Sequence, residues 1–373
     1  MNYKVVEHYA NLRKAVVADV PDDICFDGLD LNEDEKECIT EGLPKLRNCI
    51  ISIYDSIIEY SKDQPEEKFD GIMTSHIIMK ERLEARAYVD KAFIVLYGIM
   101  LNGEYDDDMT ISLSRDSLKN LKFQQSVLKH YEYFCEIEYL KNGAISDWKK
   151  CDSVNFVFDS KQLCFTLRHM IKNGISDYYF QYGDYRIYSK SGKAEDRQNR
   201  FSEGVRLKAL GEEKYKFYKT LCEKIREILD IEQSGENTYQ GGACFQILCD
   251  FGDLERYKNT YKNTRISIVI HKNMLIFSVR LGFEAFGKMP EIIEKLSDNS
   301  KKGFLNQHQC QSPACTHRCT NKRVAIFDES VFANKVFKPC QYSNATTEIM
   351  SEDDINSTIL ILEHLKKYSI KLK

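Results

Sequence analysis

Two stretches of the chain align without a gap: residues 154–169, VNFVFDSKQLCFTLRH, and residues 266–281, ISIVIHKNMLIFSVRL. The offset is a constant 112 residues, and apolar residues match apolar residues at seven positions. Each stretch has strand-like residues on both sides of a short polar turn, which is typical of two antiparallel strands. The pattern predicts an internal duplication, and the alternative is chance similarity between two amphipathic hairpins.

A long helical pattern precedes each stretch, at 114–134 and at 202–231. The sequence therefore predicts an α+β protein with a helical N-terminal part followed by two related helix-plus-antiparallel-meander units. The second unit carries a Cys-rich insertion. The predicted regions are a helical region at 1–112, a first α+β unit at 113–200, and a second unit at 201–373 that contains the Cys-rich segment 305–340 and a C-terminal helix.

Local signals place several helix ends. Asn32 is a predicted N-cap, Pro44 a predicted break in the helix that follows, and Asn102-Gly103 a predicted stop. Thr74 or Ser75 is a predicted cap for the helix before that stop.

Later signals complete the prediction. A Gly183-Asp184 turn predicts a hairpin of residues 178–181 and 185–188, and residues 190–200 read as a linker. A short amphipathic helix is expected at 289–296. Ser351 and Asp354 are expected to cap the C-terminal helix.

The composition is that of a globular protein, with 43% hydrophobic and 29% charged residues in 373. A net charge of −4 gives no general argument for nucleic acid or an anionic membrane. The longest apolar run, residues 92–101, is about half the length of a spanning helix, and the N-terminus lacks the apolar core of a signal peptide. We therefore expect a cytoplasmic protein that is not in the membrane. Its thirteen cysteines are then mostly reduced thiols, and four fit buried apolar positions: Cys49, Cys135, Cys164 and Cys222.

Four further cysteines fall in one polar segment with the spacing Cys310-x4-Cys315-x3-Cys319-x20-Cys340. Four thiolates can supply the tetrahedral ligand set that zinc requires. His308 and His317 are substitute ligands. An iron–sulfur cluster also uses four thiolates, and a set of free or redox-active thiols without metal is the third interpretation.

The charges around these cysteines bear on the chemistry. No acidic residue lies between Asp298 and Asp328, so a general base for metal-assisted hydrolysis is lacking and a closed structural site is favoured. Residues 299–327 carry cations without a compensating carboxylate: Lys301, Lys302, Arg318, Lys322 and Arg323. These cations could contact a nucleic-acid backbone, or they could simply neutralise an anionic zinc–thiolate centre.

Arg168 and Arg280 occupy equivalent positions of the aligned stretches, next to Thr166 and Ser278. If the duplication is real, the two guanidinium groups are candidates to hold a carboxylate or phosphate in a cleft. The alternative is that both arginines are solvated or pair with a neighbouring acid.

Together these features predict an intracellular binding protein with a structural zinc site. One alternative is an enzyme that acts on a small anionic substrate between the repeated units. Another is a nucleic-acid-binding protein that uses the basic Cys-rich segment. The sequence does not decide whether the protein is an enzyme, and its partners stay undefined beyond these two possibilities.

Overall fold

The computed structural model describes these residues: 1–64, 76–123, 125–140, 151–175, 177–189, 201–237, 245–251, 265–307, 325–326, 336–337 and 343–369. The chain forms two compact units. Unit 1 comprises residues 1–208 and 240–245, and unit 2 comprises residues 209–239 and 246–373. Helices and antiparallel sheets together confirm the predicted α+β class with a helical N-terminal part.

Unit 1 begins with three helices that bury one another's apolar faces: α1 (Tyr3–Lys14), α2 (Glu33–Lys62) and α3 (His76–Asn102). Asn32 caps α2 as predicted, because its side chain accepts from the Glu35 amide while the Glu35 carboxylate accepts from the Asn32 amide. The predicted break at Pro44 was wrong. Proline removes one backbone hydrogen bond, but Leu43 and Leu46 on both sides of it are buried, and their packing keeps the helix continuous. The predicted stop of α3 at Asn102 is confirmed.

A four-stranded antiparallel sheet follows, in the order β1-β2-β4-β3. Its strands are β1 (Glu104–Tyr105), β2 (Thr110–Ser114), β3 (Cys135–Leu140) and β4 (Ser153–Phe158). Every second side chain of β4 is buried, which is the expected pattern for a strand with one face toward a core.

The segment after β4 departs from the prediction. Residues 163–168 were expected to form a strand, but they lie in helix α5 (Lys161–Lys172). Ser160 is the N-cap, and its hydroxyl accepts from the Leu163 amide at 3.3 Å. Leu163, Leu167 and Met170 then share the buried face. The first unit is therefore not a repeat of the later hairpin, and the duplication is not confirmed.

Two other predictions in unit 1 were also wrong. The described part of the helix expected at 114–134 is instead the last residue of β2, a short helix α4 (Arg115–Asn120), a 3-10 turn at Gln125–Tyr131 and connecting turns. Lys122 has φ +49°, a left-handed conformation that ends α4. The hairpin expected at 178–188 is helix α6 (Asp177–Phe180) and a 3-10 turn at Arg186–Tyr188. Residues 180–185 are all buried, whereas a half-exposed hairpin would expose every second side chain.

Unit 2 contains most of α7 (Glu203–Leu229), so the range predicted at 202–231 is helical, but its backbone is not helical at Gly211, where φ is +74° and the helix kinks. A five-stranded antiparallel sheet follows, in the order β11-β8-β7-β6-β5. Its strands are β5 (Gln233–Asn237), β6 (Ile247–Phe251), β7 (Arg265–His271), β8 (Met274–Arg280) and β11 (Ala345–Glu348). The predicted hairpin at 266–281 is the β7–β8 pair, with Ile268 opposite Phe277.

The remaining elements are helices α8 (Phe283–Gly287), α9 (Asp298–Leu305) and α10 (Glu352–Ser369), and strands β9 (Ala325–Ile326) and β10 (Val336–Phe337). Two 3-10 turns, Met289–Glu291 and Ile293–Lys295, replace the helix expected at 289–296. At the start of α10, Asp354 accepts from the Met350 amide at 3.0 Å and from the Ser351 hydroxyl at 3.3 Å, so the two residues predicted as a capping pair do contact each other beside the first turn. None of the described helices combines the length and the apolar character needed to cross a bilayer.

Candidate functional site

The Cys-rich segment leaves and rejoins the described fold of unit 2 at a tight crossing between α9 and β11, which we call the neck. A Cβ on Gly303 would lie 2.1 Å from the carbonyl oxygen of Thr346, so only glycine permits this approach. The Asn299 side-chain amide also donates to the carbonyl of Glu348 at 2.6 Å. The neck therefore holds the described residues on the two sides of the Cys-rich segment close together.

Two short strands lie within the segment. β9 pairs with β10 antiparallel, and Ala325 lies opposite Phe337. Cys319 lies six residues before Ala325, and Cys340 three residues after Phe337. The pairing thus shortens the path between these two cysteines from 21 residues to nine plus one cross-strand step. A shorter path lowers the entropy cost of bringing two ligands to one ion.

The proposed ligands Cys310, Cys315, Cys319 and Cys340 lie outside the described residues, as do His308, His317, the predicted linker at 190–200 and the predicted caps Thr74 and Ser75. Within the described ranges, no group of three or more His, Cys, Asp or Glu side chains is placed to hold a metal ion. Three of the cysteines predicted to be apolar packing groups, Cys49, Cys135 and Cys164, are buried, and Cys222 is half-buried. Burial raises the pKa of the Cys164 thiol to about 12, so this group stays protonated.

Arg280 lies at the end of β8 in unit 2, directly opposite Arg265 of β7. Two residues further along, Ser267 and Ser278 form the next opposed pair on the same face of the sheet. Because side chains two apart on a strand share a face, the two guanidinium groups and the two hydroxyls form a block on one face of the sheet. Arg265 also forms two-pronged hydrogen bonds to Asp250, with Nη2 2.9 and 3.1 Å from the carboxylate oxygens.

Arg168 lies on helix α5 in unit 1. Its guanidinium carbon is 3.7 Å from the centre of the Tyr105 ring, and the Lys172 ammonium is 5.4 Å from the same centre. Such contacts stabilise a cation, because the face of an aromatic ring attracts positive charge. The two arginines thus differ in secondary structure and surroundings, and they are not equivalent members of a repeat.

One polar cluster in unit 1 was not predicted from the sequence, and we call it the Ser–His–Tyr cluster. The Ser56 hydroxyl lies 2.8 Å from Nδ1 of His130, and the Tyr88 hydroxyl lies 3.3 Å from Nε2. His130 is fully buried. Desolvation, with a smaller effect of the nearby Lys129 charge, lowers the pKa of His130 to about 4.

A serine beside a neutral histidine is the arrangement that activates a hydroxyl nucleophile. Catalysis also requires a substrate to reach the hydroxyl, and the complete burial of His130 argues against that. We interpret the cluster as a structural network that joins α2, α3 and the 3-10 turn. The sequence carried no signal for it, because its members come from positions 56, 88 and 130.

A surface cavity of about 420 Å³ lies beside the first turns of α2 and is lined by Ile24, Cys25, Phe26, Asp27, Leu29 and Lys36. The Cys25 thiol donates to the Asp27 carboxylate at 3.1 Å. Behind the cavity, the Cys25 amide donates to the carbonyl of Tyr188, whose hydroxyl lies 2.7 Å from Nδ1 of His169. The lining offers a carboxylate and an ammonium group to a small polar molecule, but none of the residues predicted as ligands lines it.

No protein-family model, no curated protein and no solved structure matches this chain.

Proposed function

We propose that this chain is a non-catalytic binding protein of the reducing cytoplasm whose Cys-rich segment is closed by a structural zinc ion. The ligands would be Cys310, Cys315, Cys319 and Cys340. Four thiolates complete a tetrahedral site and leave no position for water, so the ion would stabilise structure rather than carry out hydrolysis.

The main support is that the described fold restrains the chain around and within this segment. The neck between Gly303 and Thr346 holds the flanking residues on its two sides together, and the β9–β10 pair shortens the path from Cys319 to Cys340. A metal ion that closes an already restrained loop loses less of its binding energy to chain entropy.

The test is metal analysis of the full chain purified under reducing conditions. We expect one equivalent of zinc, and Cys315→Ser and Cys319→Ser should each lower zinc occupancy at least tenfold. Cys222→Ser is the matched control, because Cys222 lies on helix α7 and outside the proposed ligand set, and it should leave the zinc content unchanged.

Other outcomes would contradict the proposal. Less than about a tenth of an equivalent of zinc would reject it. Iron and inorganic sulfide with visible absorption would assign the four thiolates to an iron–sulfur cluster instead. Loss of zinc from the Cys222→Ser variant would point to a different ligand set.

A second candidate function concerns small anions, and the block formed by Arg265, Arg280, Ser267 and Ser278 favours it. Two guanidinium groups on opposed strand positions repel each other unless negative charge lies between or beside them. Asp250 supplies such a charge beside Arg265, and guanidinium groups and hydroxyls are groups that bind phosphate or carboxylate. Arg280→Met should weaken the binding of inorganic phosphate measured by calorimetry, and Arg280→Lys should weaken it less. Arg168→Met should weaken this binding only if both arginines contribute.

The basic Cys-rich segment supports a third candidate function, which is binding of nucleic acid. Phosphate-backbone contacts weaken steeply as salt rises. A titration with a short oligonucleotide at two salt concentrations therefore separates this possibility from small-anion binding. An affinity that does not depend on salt would argue against it.

A further inference from the structure

The surface cavity beside the first turns of α2 combines an apolar wall with a carboxylate. Ile24, Phe26 and Leu29 supply the apolar part of its lining, and Asp27 supplies the carboxylate. Its volume of about 420 Å³ lies in the range of clefts that bind small organic molecules. Such clefts use apolar side chains for contact area and a few polar groups for orientation. The lining therefore fits a small molecule that has an apolar body and a polar group.

Contacts within unit 1 hold the walls of this cavity in place. The Leu29 amide donates to the Phe26 carbonyl at 3.0 Å. The Phe26 ring packs against the Tyr188 ring, with centroids 6.0 Å apart and planes inclined by 67°. The Cys25 thiol donates to the Asp27 carboxylate at 3.1 Å and orients it. Because a thiol is a neutral donor, this hydrogen bond does not cancel the carboxylate charge. A site whose groups are already in place loses less binding energy to ordering.

The sequence around the cavity is strongly acidic. Residues 20–37 contain eight carboxylate side chains and one lysine, Lys36. The Lys36 ammonium lies 2.7 Å from the Glu33 carboxylate, so its charge is balanced by that neighbour. The summed field of the remaining carboxylates attracts a cation and repels an anion. A polar group that contacts Asp27 in this cavity is therefore expected to be positively charged.

Two properties favour an organic cation over a metal ion. Calcium and magnesium take about six or more oxygen ligands, and in the part of the chain that the structure describes, no three His, Cys, Asp or Glu side chains are grouped to hold a metal ion. An organic ammonium group needs fewer oxygens, and the face of an aromatic ring attracts it as well. Phe26 supplies such a ring in the lining. The apolar residues also match an organic body, which a hydrated metal ion lacks.

We propose that this cavity binds a small organic cation that carries an ammonium group on an apolar, aromatic or aliphatic body. Asp27 pairs with the ammonium group, and Phe26 and Leu29 contact the body. Because the cavity lies at the surface, the dissociation constant for a small amine is expected to be on the order of 1 mM. The proposal does not depend on the zinc site.

Calorimetry of the full chain at low salt is the first measurement, with phenethylammonium chloride as the probe. Two compounds carry the same ring on a chain of similar length: 2-phenylethanol is neutral, and 3-phenylpropionate is an anion. We expect both to bind at least tenfold more weakly than phenethylammonium. The affinity for phenethylammonium should also fall as salt is added, because salt screens the field of the carboxylates.

Two variants locate the site. Asp27→Asn keeps the shape of the side chain and removes its charge, and it should weaken the binding of phenethylammonium at least threefold. Phe26→Leu keeps an apolar side chain and removes the aromatic ring, and it should weaken binding at least twofold. Asp116→Asn is the matched control, because Asp116 lies on α4 and its side chain is 87% exposed. It changes the net charge equally and should leave the affinity unchanged.

Several results would overturn the proposal. Phenethylammonium could fail to bind at concentrations up to about 20 mM, or the neutral alcohol could bind as tightly. An equal loss of affinity in Asp27→Asn and Asp116→Asn would assign the binding to general surface charge.

A preference for phenylalanine over phenethylammonium that Lys36→Met abolishes would show that the cavity recognises a zwitterion through Lys36, and it would also reject the proposal. With an ammonium ligand, Lys36→Met removes a positive charge from the lining and should leave the affinity for phenethylammonium unchanged or raise it.

Discussion

Residues 154–169 and 266–281 have nearly the same apolar pattern, yet only their first halves fold alike. Both begin with a strand in an antiparallel sheet, β4 in unit 1 and β7 in unit 2. After the turn, the first continues as helix α5 and the second returns as strand β8. Phe165 is half-buried on the helix, whereas its counterpart Phe277 is fully buried in the sheet.

The turn and the residues after it account for this difference. Ser160 satisfies an amide of the first helical turn, and Met170 and Ile171 continue the helical spacing of buried residues beyond the aligned part. In the hairpin, Asn273 adopts φ +60°, which closes a two-residue turn between opposed His271 and Met274. A pattern of six or seven residues is compatible with both structures, and its neighbours decide between them.

The largest expected effect on stability comes from the close contact between helices α2 and α5 at Gly42. A Cβ on Gly42 would lie 2.0 Å from Oγ1 of Thr166 and 2.4 Å from the Gln162 carbonyl oxygen. Since a backbone carbonyl cannot rotate away, Gly42→Ala should lower the free energy of unfolding by about 3 kcal/mol. Gly235→Ala has open space around it and should change stability by less than about 0.5 kcal/mol in urea unfolding. Equal effects would contradict the close crossing.

The hairpin depends on the left-handed residue at its turn. Asn273→Val puts a β-branched side chain at φ +60° and should cost about 1–2 kcal/mol. Asn273→Gly removes the steric restriction and should be nearly neutral in the same chemical unfolding experiment. A tolerated valine would show that the turn can change type.

Loss of the Ser160 cap should have a smaller effect. Ser160→Ala removes the acceptor for the Leu163 amide and is expected to cost about 1 kcal/mol. Ser160→Asp restores an acceptor and should recover most of that loss in thermal unfolding. If alanine and aspartate behave alike, the cap does not stabilise α5.

The smallest expected effect is a pH dependence that comes from His169 in the helical stretch. His169 aligns with Leu281, and burial lowers the pKa of His169 from its ordinary 6.5. The unfolded chain then binds the proton more readily, so this contribution is present above pH 6.5 and is lost as pH falls below it. His169→Gln keeps an acceptor for Tyr188 but cannot titrate, so its urea midpoint should fall less between pH 7.5 and 5.5 than that of the parent. An unchanged slope would assign the dependence to other groups.

The sequence predicted the elements whose ends carry strong local signals. The Asn32 cap and the stop at Asn102 each act within a few residues, and both are confirmed. The helical form of 161–172 was missed, because Leu163, Phe165 and Leu167 also fit strand alternation and the decisive contact at Gly42 comes from a distant helix.

The sites were predictable to a smaller degree. Spacing alone could identify a set of four cysteines in one segment, but it could not reveal the neck or the β9–β10 pair that restrain this segment. It also could not find the Ser–His–Tyr cluster, since a pair such as Ser56 and His130 is brought together only by packing.

The strand order of unit 2 also has a consequence for the order in which the chain is assembled during synthesis. β5 to β8 pair with successive neighbours and can form as the chain emerges. β11 joins β8 only after residues 281–344 have been made. Until then the hydrogen-bonding edge of β8 is open, and an open edge is a template for pairing with another nascent chain. A ribosome that pauses within the Cys-rich segment would prolong this vulnerable stage.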